Sequence, residues 1–255
     1  MYILDVKELT KHFGGIRAVE DVSFKIKDGY IASIIGPNGA GKTTLFNCLT
    51  GITKPTKGNI RFKETEISKL PPHRVAELGI ARTFQNIRLF SEMTTIENVM
   101  VSQHTRIRYN FLSAVMHGNG FKTKEQAIRE KAFEYLELVG LEDYADTQAN
   151  NLPYGSQRRL EIARALATEA HIILLDEPTA GMNPIETSEV MALIKNIREL
   201  GKTIILIEHD MRLVMGVSDW IIVLDHGVKI AEGLPDDVRN NSMVIEAYLG
   251  RETNH

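Results

Sequence analysis

A glycine-rich stretch near the N-terminus constrains the fold of this chain more than any other feature. It has the pattern G-x-x-x-x-G-K-[ST], which begins at Gly36 and ends with Gly41, Lys42 and Thr43. The pattern follows an apolar, β-branched run at 30–35 and precedes a segment with helical spacing of apolar residues. A phosphate-binding loop requires this context of strand, loop and helix. The stretch therefore predicts a strand–loop–helix unit that binds phosphate groups.

The residues of this loop suit a nucleotide and a magnesium ion. Glycines allow the sharp turn that lets backbone N–H groups and a helix N-terminus surround phosphate oxygens. Lys42 would reach the β- and γ-phosphates, and the Thr43 hydroxyl would bind Mg²⁺. The alternative is a glycine-rich turn that binds nothing, and the agreement with the required context argues against it. The predicted nucleotide-binding residues of the loop are Gly36, Pro37, Asn38, Gly39, Ala40, Gly41, Lys42, Thr43 and Thr44.

Two adjacent carboxylates follow a short apolar strand further along the chain. The run 172–175 is apolar throughout, which is typical of a central parallel strand buried on both faces, and it ends in Asp176 and Glu177. Such sheets bind their ligands at the carboxyl ends of the strands. With a phosphate loop in the same chain, Asp176 is predicted on the Mg²⁺ side, and Glu177 is predicted to orient or deprotonate an attacking water. The alternative is a turn with two solvated acids.

Three other side chains are candidates for the same site. Gln85 is expected at the end of a strand that begins at Ile80, where polar residues commonly contact Mg²⁺ and water. His209 follows the apolar run 203–207 and can reach a γ-phosphate, although a lone histidine is more often structural. Phe13 stands in a glycine-bearing loop between two predicted strands. It could be a core residue or, beside a nucleotide, a surface for stacking adenine.

The secondary-structure pattern predicts an α/β fold with three parts. Residues 1–90 are expected to hold an antiparallel β region and the first part of a P-loop core with a parallel sheet. The strand signal then disappears, and 91–165 is predicted to be an α-helical subdomain. Residues 166–255 alternate strands and helices, which favours the second part of a parallel sheet and a helical tail. The basic and aromatic stretch 105–121 is interpreted as an irregular insertion rather than a membrane or nucleic-acid contact.

Composition and charge exclude several classes of protein. The 255 residues carry a formal net charge of −3, so the chain has no basic surplus for binding nucleic acid. The single cysteine, Cys48, cannot form a disulfide within the chain and is expected to be a buried helix residue in a reducing compartment. The chain starts without a basic region followed by a long apolar one, which favours a cytoplasmic protein.

The ordered set of motifs resembles the nucleotide-binding subunit of an ABC transporter over essentially the whole chain. The resemblance implies a P-loop NTPase fold and Mg²⁺-dependent ATP hydrolysis. It also assigns roles: the aromatic residue stacks on adenine, the glutamine joins Mg²⁺ and the lytic water to the transport subunit, the glutamate is the catalytic base and the histidine contacts the γ-phosphate. The expected metal ligands are Thr43, Gln85 and Asp176. The residues that carry the resemblance are Phe13, Gly36 to Thr43, Gln85, Leu152 to Ser156, Asp176, Glu177 and His209.

The resemblance also implies partners and a location. In this family two ATPase subunits, homologous or identical, pair head to tail, and the signature loop of one closes on the nucleotide of the other. Gly155 and Ser156 are therefore expected to contact the nucleotide of a second subunit. Transmembrane permease subunits would be direct partners, an extracytoplasmic substrate-binding protein would be an indirect one, and nucleic acid would not be a partner. The subunit would lie on the inner face of the cell membrane.

Two positions depart from the family pattern. The signature Leu-Ser-Gly-Gly-Gln is here Leu152-Pro-Tyr-Gly-Ser156, so Pro153 replaces the serine that usually touches the opposite γ-phosphate. Gly155 and the helix N-terminus that follows could still offer backbone N–H groups, and Ser156 could supply a replacement hydroxyl. Asn183 stands where the loop after the catalytic glutamate usually has aspartate.

Four stretches narrow the resemblance to the larger ATPase of bacterial branched-chain amino acid importers. The nearest alternative is the ATPase of a lipid or lipopolysaccharide exporter, which would be expected to keep the unmodified signature. An ATPase of DNA maintenance would need a coiled coil or a basic surface. A P-loop small-molecule kinase would have no use for a signature loop, and a non-catalytic cassette would not need to retain the site residues. The four stretches are 82–90, 154–164, 207–215 and 247–250.

Overall fold

The computed structural model describes residues 1–103 and 119–249, with side chains described for all of these except 119–124 and 249. The insertion predicted at 105–121 therefore lies largely outside the described residues. Within the described part of the chain, no helix is both long enough and apolar enough to span a membrane.

The described residues contain the following strands and helices. The strands are β1 (Tyr2–Phe13), β2 (Ile16–Lys27), β3 (Ile31–Ile35), β4 (Lys57–Phe62), β5 (Thr65–Glu66), β6 (Ile80–Arg82), β7 (Ile172–Asp176), β8 (Thr203–Ile207), β9 (Trp220–Asp225) and β10 (Val228–Gly233). The helices are α1 (Lys42–Leu49), α2 (Pro72–Leu78), α3 (Thr95–Gln103), α4 (Asn119–Leu138), α5 (Tyr154–Ala167), α6 (Pro184–Glu199), α7 (Met211–Val217), α8 (Pro235–Arg239) and α9 (Ser242–Leu249).

The strands form two sheets. The larger has the order β10-β9-β3-β8-β7-β6, in which only β10 runs antiparallel to its neighbour. The smaller has the order β2-β1-β4-β5 and is antiparallel throughout. The predicted parallel core and N-terminal antiparallel region are therefore both confirmed.

The central strands are continuous apolar runs because helices and the second sheet cover both of their faces. Every residue of β3, β7 and β8 is buried. Residues on alternate sides of β8 join different core clusters, with Ile204 and Leu206 in one and Ile205 and Ile207 in the other. The rigid sheet fixes the positions of the loops that follow its strands.

The helices α3, α4 and α5 lie between β6 and β7 in the chain. An apolar stripe of α4 is buried, with Ile128, Ala132 and Leu136 in the core. A capping box begins α3, because the Glu97 N–H donates to Thr94 Oγ1 at 3.3 Å and the Thr94 N–H donates to Glu97 Oε2 at 2.8 Å. The predicted α-helical subdomain is therefore confirmed.

Some predicted boundaries are wrong. The loop expected at 11–17 is the end of a hairpin, since β1 runs to Phe13 and β2 begins at Ile16, with a turn at Gly14 (φ 59°). The strand expected to end at Gln85 ends at Arg82. The sequence pattern also missed β10, which is largely half-exposed and lacks a continuous apolar run.

Cys48 is buried in α1, as predicted. Burial raises the pKa of its thiol to about 11. The thiol therefore stays protonated at neutral pH and acts as a small packing residue.

Candidate functional site

Four neighbouring strands of the larger sheet bring the predicted residues to one edge. The strands β3, β8, β7 and β6 lie side by side in this order, and the last three are joined in parallel register, with Asp176 opposite Ile207. The phosphate loop follows β3, His209 follows β8, Glu177 follows β7 and Gln85 follows β6. The carboxyl edge of the sheet therefore holds the predicted site, where α/β sheets bind ligands.

Glycine is required at two positions of the phosphate loop because other backbone segments approach closely. Gly36 has φ 148° and Gly41 has φ 98°, both in the region that favours glycine. A Cβ atom would lie 2.0 Å from the Leu224 carbonyl oxygen at the first position and 2.3 Å from the Ala18 carbonyl oxygen at the second. At Gly39 (φ 82°) no described protein atom would lie within 4 Å of such a Cβ atom. The middle of the loop is therefore open to a ligand.

Lys42 lies at the start of α1 with its ammonium group inside the loop. Its side chain is only 6% exposed, and Nζ donates to the carbonyl oxygens of Gly36 at 2.7 Å and Pro37 at 3.0 Å. Thr43 follows it and is exposed. This arrangement places a buried positive charge and an accessible hydroxyl at a helix N-terminus, where phosphate groups bind.

Gln85, Glu177 and His209 form one hydrogen-bonded group. The His209 Nε2 atom lies 2.6 Å from Glu177 Oε1, and Gln85 Nε2 donates to Glu177 Oε2 at 3.1 Å. Glu177 has φ 50°, a left-handed conformation that costs a non-glycine residue roughly 1–3 kcal/mol. Its N–H donates to the Ile207 carbonyl oxygen at 3.0 Å, which holds this conformation. Such a fixed carboxylate could accept a proton from a water molecule.

Asp176, the residue before Glu177, is buried and has a partner that sequence reasoning missed. Arg82 Nη2 donates to Asp176 Oδ2 at 2.8 Å, and Arg82 Nη1 donates to Asn47 Oδ1 at 2.6 Å. Arg82 thus links β6, β7 and α1. Its position in a buried, otherwise apolar strand was the available signal, since a buried charge needs a partner.

Glu208 was also missed, although it precedes His209 directly. It is 5% exposed, and its Oε1 atom accepts hydrogen bonds from the Thr179 N–H at 3.1 Å and the Thr179 hydroxyl at 2.6 Å. These bonds fix the loop that follows Glu177.

The donors at this edge fit a magnesium ion bound together with a nucleotide. Mg²⁺ prefers oxygen ligands and is usually held by one or two carboxylates, substrate phosphates and several waters. The hydroxyl of Thr43, the carboxylate of Asp176 and the amide oxygen of Gln85 supply donors of this kind. The chemistry of the site therefore suits the ion that the sequence predicts.

Two aromatic residues lie near the phosphate loop. Phe13 is 49% exposed at the end of β1, and Lys11 Nζ lies 4.8 Å from its ring centroid, so its interpretation as a core residue is wrong. Tyr248 of α9 reaches the Gly36 backbone N–H, and burial raises its pKa to about 12. The Tyr248 ring packs against the core cluster that contains Ile35.

The signature region begins α5. Pro153 is the N-cap residue and supplies no side-chain hydrogen bond to the first turn, while Gly155 and Ser156 are buried in that turn. The Ser156 hydroxyl accepts a hydrogen bond from Arg159 Nη2 at 3.3 Å. At the start of α6, Asn183 Oδ1 accepts from the N–H groups of residues 185 and 186, which completes a capping box. Asn183, which stands where the family usually has aspartate, therefore caps α6.

Comparison with known families gives two matches. Residues 19–180 match the family described as ABC transporter. Residues 228–253 match the family described as branched-chain amino acid ATP-binding cassette transporter.

Curated relatives match along nearly the full chain. The high-affinity branched-chain amino acid transport ATP-binding protein BraF of Pseudomonas aeruginosa is 50% identical over 249 residues, covering 97% of this chain and 98% of that protein. The corresponding Escherichia coli (strain K12) protein, LivG, is 48% identical with the same coverage.

Solved structures share the fold. The crystal structure of the ADP conformation of an ATP-binding cassette of an ABC transporter is 33% identical, covers 98% of this chain and 99% of that chain, and has a TM-score of 0.85. A dimeric ATP-binding cassette in a post-hydrolysis state with ADP and Pi is 29% identical, covers 91% of this chain and 98% of that chain, and has a TM-score of 0.77.

Proposed function

Because the chain belongs to the ABC transporter family and has its P-loop NTPase fold, we propose that it hydrolyses ATP to energise the import of branched-chain amino acids. The substrate class rests on the match of residues 228–253 to the branched-chain amino acid ATP-binding cassette family. The names of the two relatives support the same class. The lipid-exporter and DNA-maintenance alternatives have no comparable support.

The residues at the carboxyl edge of the larger sheet have different roles in the reaction. The phosphate loop and Lys42 bind the nucleotide phosphates. Glu177 accepts the proton of the attacking water, while Gln85 and His209 hold its two carboxylate oxygens in place. His209 is also exposed enough to contact the γ-phosphate. When bound, Mg²⁺ neutralises developing phosphate charge, and its protein ligands would be Thr43, Asp176 and Gln85.

The exposed ring of Phe13 is the proposed surface for adenine. It lies at the end of a hairpin whose second strand begins at Ile16 and carries Ala18, and the Ala18 carbonyl oxygen lies close to Gly41 of the phosphate loop. A half-exposed aromatic ring can stack on a flat base without first leaving a core position.

A transmembrane permease subunit is the proposed direct partner, with the protein on the inner face of the cell membrane. A cavity of about 420 Å³ lies beside the Gln85 segment and could receive a short segment of this partner. Its lining combines apolar side chains with charged ones, including Arg88, Glu161 and Arg164. A partner seated there would touch the backbone next to Gln85. An extracytoplasmic binding protein would act indirectly, through the permease.

Copurification and transport test this function. We expect the tagged protein to copurify from membranes with a permease, and the reconstituted complex to take up leucine, isoleucine or valine only with ATP. A Glu177→Gln complex is the matched control that assembles without turnover. Copurification with a lipid-exporting membrane protein, or ATP hydrolysis by the complex without amino acid uptake, would contradict the proposed substrate class.

A head-to-tail dimer is the proposed working state, supported by the dimeric cassette of the same fold. Pro153 supplies no side-chain cap to the first turn of α5, so the N–H groups of this turn are the proposed contact for a phosphate of the opposite subunit. The Ser156 hydroxyl oxygen accepts from Arg159 Nη2, one turn further along the same helix, which draws this side chain away from the N-terminal end of α5. The backbone of this turn is therefore favoured over the Ser156 hydroxyl as the contact.

We expect Ser156→Ala to leave the ATP-dependent dimer almost unchanged in a Glu177→Gln background, because only the hydroxyl is lost. Gly155→Asp should prevent dimerisation, since it places a like charge beside the γ-phosphate. A Cβ atom at Gly155 would lie 2.7 Å from Glu186 Oε1, so this variant is made together with Glu186→Ala, which removes that contact, and Glu186→Ala alone is the control. Light scattering with size exclusion measures the dimer. Dimerisation of the Gly155→Asp, Glu186→Ala protein at the parent ATP concentration would contradict the contact.

A further inference from the structure

A buried arginine connects the start of α5 to the segment that carries Gln85. Arg158 is only 4% exposed. Its Nη1 atom donates to the Phe84 carbonyl oxygen at 2.8 Å, and its Nη2 atom donates to the Gln85 carbonyl oxygen. Arg158 Nη1 also lies 3.3 Å from Glu161 Oε2, while Glu161 Oε1 accepts from the Arg88 N–H at 2.9 Å. Two side chains of α5 thus hold both ends of the segment 84–88.

This segment has little other regular structure to fix it. The strand β6 ends at Arg82, and no helix or strand contains Gln85. The Gln85 side chain is exposed and donates to Glu177 Oε2 at 3.1 Å. The position of the Gln85 amide therefore depends on the backbone that Arg158 holds.

Tyr154 fixes the other side of Arg158. Its hydroxyl oxygen accepts from Arg158 Nη2 at 2.9 Å and from Arg158 Nε at 3.2 Å. A Cβ atom on Gly181 would lie 3.3 Å from Tyr154 Cε1, so the ring packs against the loop that follows Glu177. A glycine, which the family signature has at this position, could supply neither contact.

These contacts form a closed path that begins and ends at Glu177. From Glu177 it follows the loop to Gly181, then passes through Tyr154 and Arg158 to the Gln85 backbone, and the Gln85 amide returns to the Glu177 carboxylate. The guanidinium group is planar and rigid, so it transmits a displacement of one partner to the others. Movement at the start of α5 would thus change the position of Gln85.

We propose that Tyr154 and Arg158 are positioning residues that set the place of Gln85 relative to Glu177. This inference rests on the proposed hydrolytic role of Glu177. It makes the signature turn of a subunit part of the hydrolytic site of that same subunit, in addition to the contact proposed for it with the opposite one.

Tyr154→Phe tests the proposal because it keeps the ring against Gly181 and removes only the hydroxyl. We expect kcat to fall about tenfold, the scale of a small misplacement of a water-orienting group. The KM for ATP and the melting temperature should stay unchanged, because the phosphate loop is untouched. Tyr144→Phe, a half-exposed tyrosine outside this path, is the matched control and should behave as the parent.

A double-mutant cycle with Gln85→Ala distinguishes positioning from a general structural effect. If Tyr154 acts through Gln85, Tyr154→Phe should cause no further loss of kcat in the Gln85→Ala protein. Lysine cannot form the forked hydrogen bonds of the Arg158 guanidinium group. Arg158→Lys should therefore also lower kcat in the parent but not in the Gln85→Ala protein. This second cycle replaces the first if Tyr154→Phe lowers the melting temperature.

Three outcomes would overturn the proposal: fully additive losses of kcat, unchanged kcat in both single variants, or a loss of kcat explained by a smaller dimer fraction measured in parallel. Failure of the proposed function is recognised separately. If the parent protein hydrolyses ATP but supports no transport, the import role is contradicted, and the double-mutant cycle can still be interpreted. If the Glu177→Gln variant still hydrolyses ATP, Glu177 is not the base, and the double-mutant cycle no longer tests the positioning of Gln85.

Discussion

Replacing Glu177 by glutamine is expected to lower ATP turnover roughly 100-fold or more while leaving ATP binding intact, as for a lost general base. The amide has nearly the same shape as the carboxylate, so it can still bond to Gln85 and His209, which lie 3.1 and 2.6 Å from the two carboxylate oxygens. It can accept a hydrogen bond from water but cannot take the proton. The change therefore removes one chemical step and preserves the surrounding geometry.

Steady-state hydrolysis and calorimetric ATP binding measure the two quantities. Glu189→Gln, an exposed glutamate on α6, makes the same change of charge outside the site and should behave as the parent. If Glu177→Gln retained turnover within a factor of a few, Glu177 would not be the base. His209, its immediate neighbour, would then be the next candidate.

The sequence predicted the position of a site residue wherever a strand or a loop type determined that position. The phosphate loop was predictable because Gly36 and Gly41 occupy backbone positions that a side chain cannot enter. Glu177 and His209 were predictable as neighbours because both follow apolar runs, and parallel strands align their carboxyl ends at one edge of the sheet.

Tertiary partners were not predictable in this way. Arg82 contacts Asp176 and Asn47, which are distant in sequence, and nothing in the local pattern specifies either partner. Arg158 lies on an amphipathic helix where an arginine is usually solvated, yet its carbonyl partners belong to a segment about seventy residues earlier. Such contacts are set by how elements pack, which periodicity does not encode.

The wrong C-terminal boundary predicted for β6 also results from tertiary contacts. The β6 strand was expected to continue to Gln85 because most residues of 80–84 are apolar or β-branched, but β6 is an edge strand paired only with β7. Arg158 then bonds to the carbonyl groups that would otherwise extend the strand. The result is an irregular segment at the site, from which the Gln85 side chain donates to the Glu177 carboxylate.

Lys42→Ala is expected to abolish ATP binding or nearly so. The lysine would form charge-assisted hydrogen bonds to the β- and γ-phosphates, each worth roughly 1.5–3 kcal/mol, so losing both corresponds to about 100-fold or more in Kd. The ammonium group is buried in the loop and already donates to the Gly36 and Pro37 carbonyl oxygens, so it needs little rearrangement to meet a phosphate. Its removal leaves no side chain at this position that could take its place.

Isothermal calorimetry with ATP measures this loss. Lys54→Ala, an exposed lysine just beyond α1, removes the same charge outside the loop and should bind ATP as the parent does. A melting curve shows whether the loop carbonyls that lose their donor also destabilise the fold, because an effect on folding would lower the melting temperature of Lys42→Ala but not that of Lys54→Ala. Parent-like ATP affinity in a folded Lys42→Ala protein would overturn the assignment of this loop, since binding would then not depend on the charge at its centre.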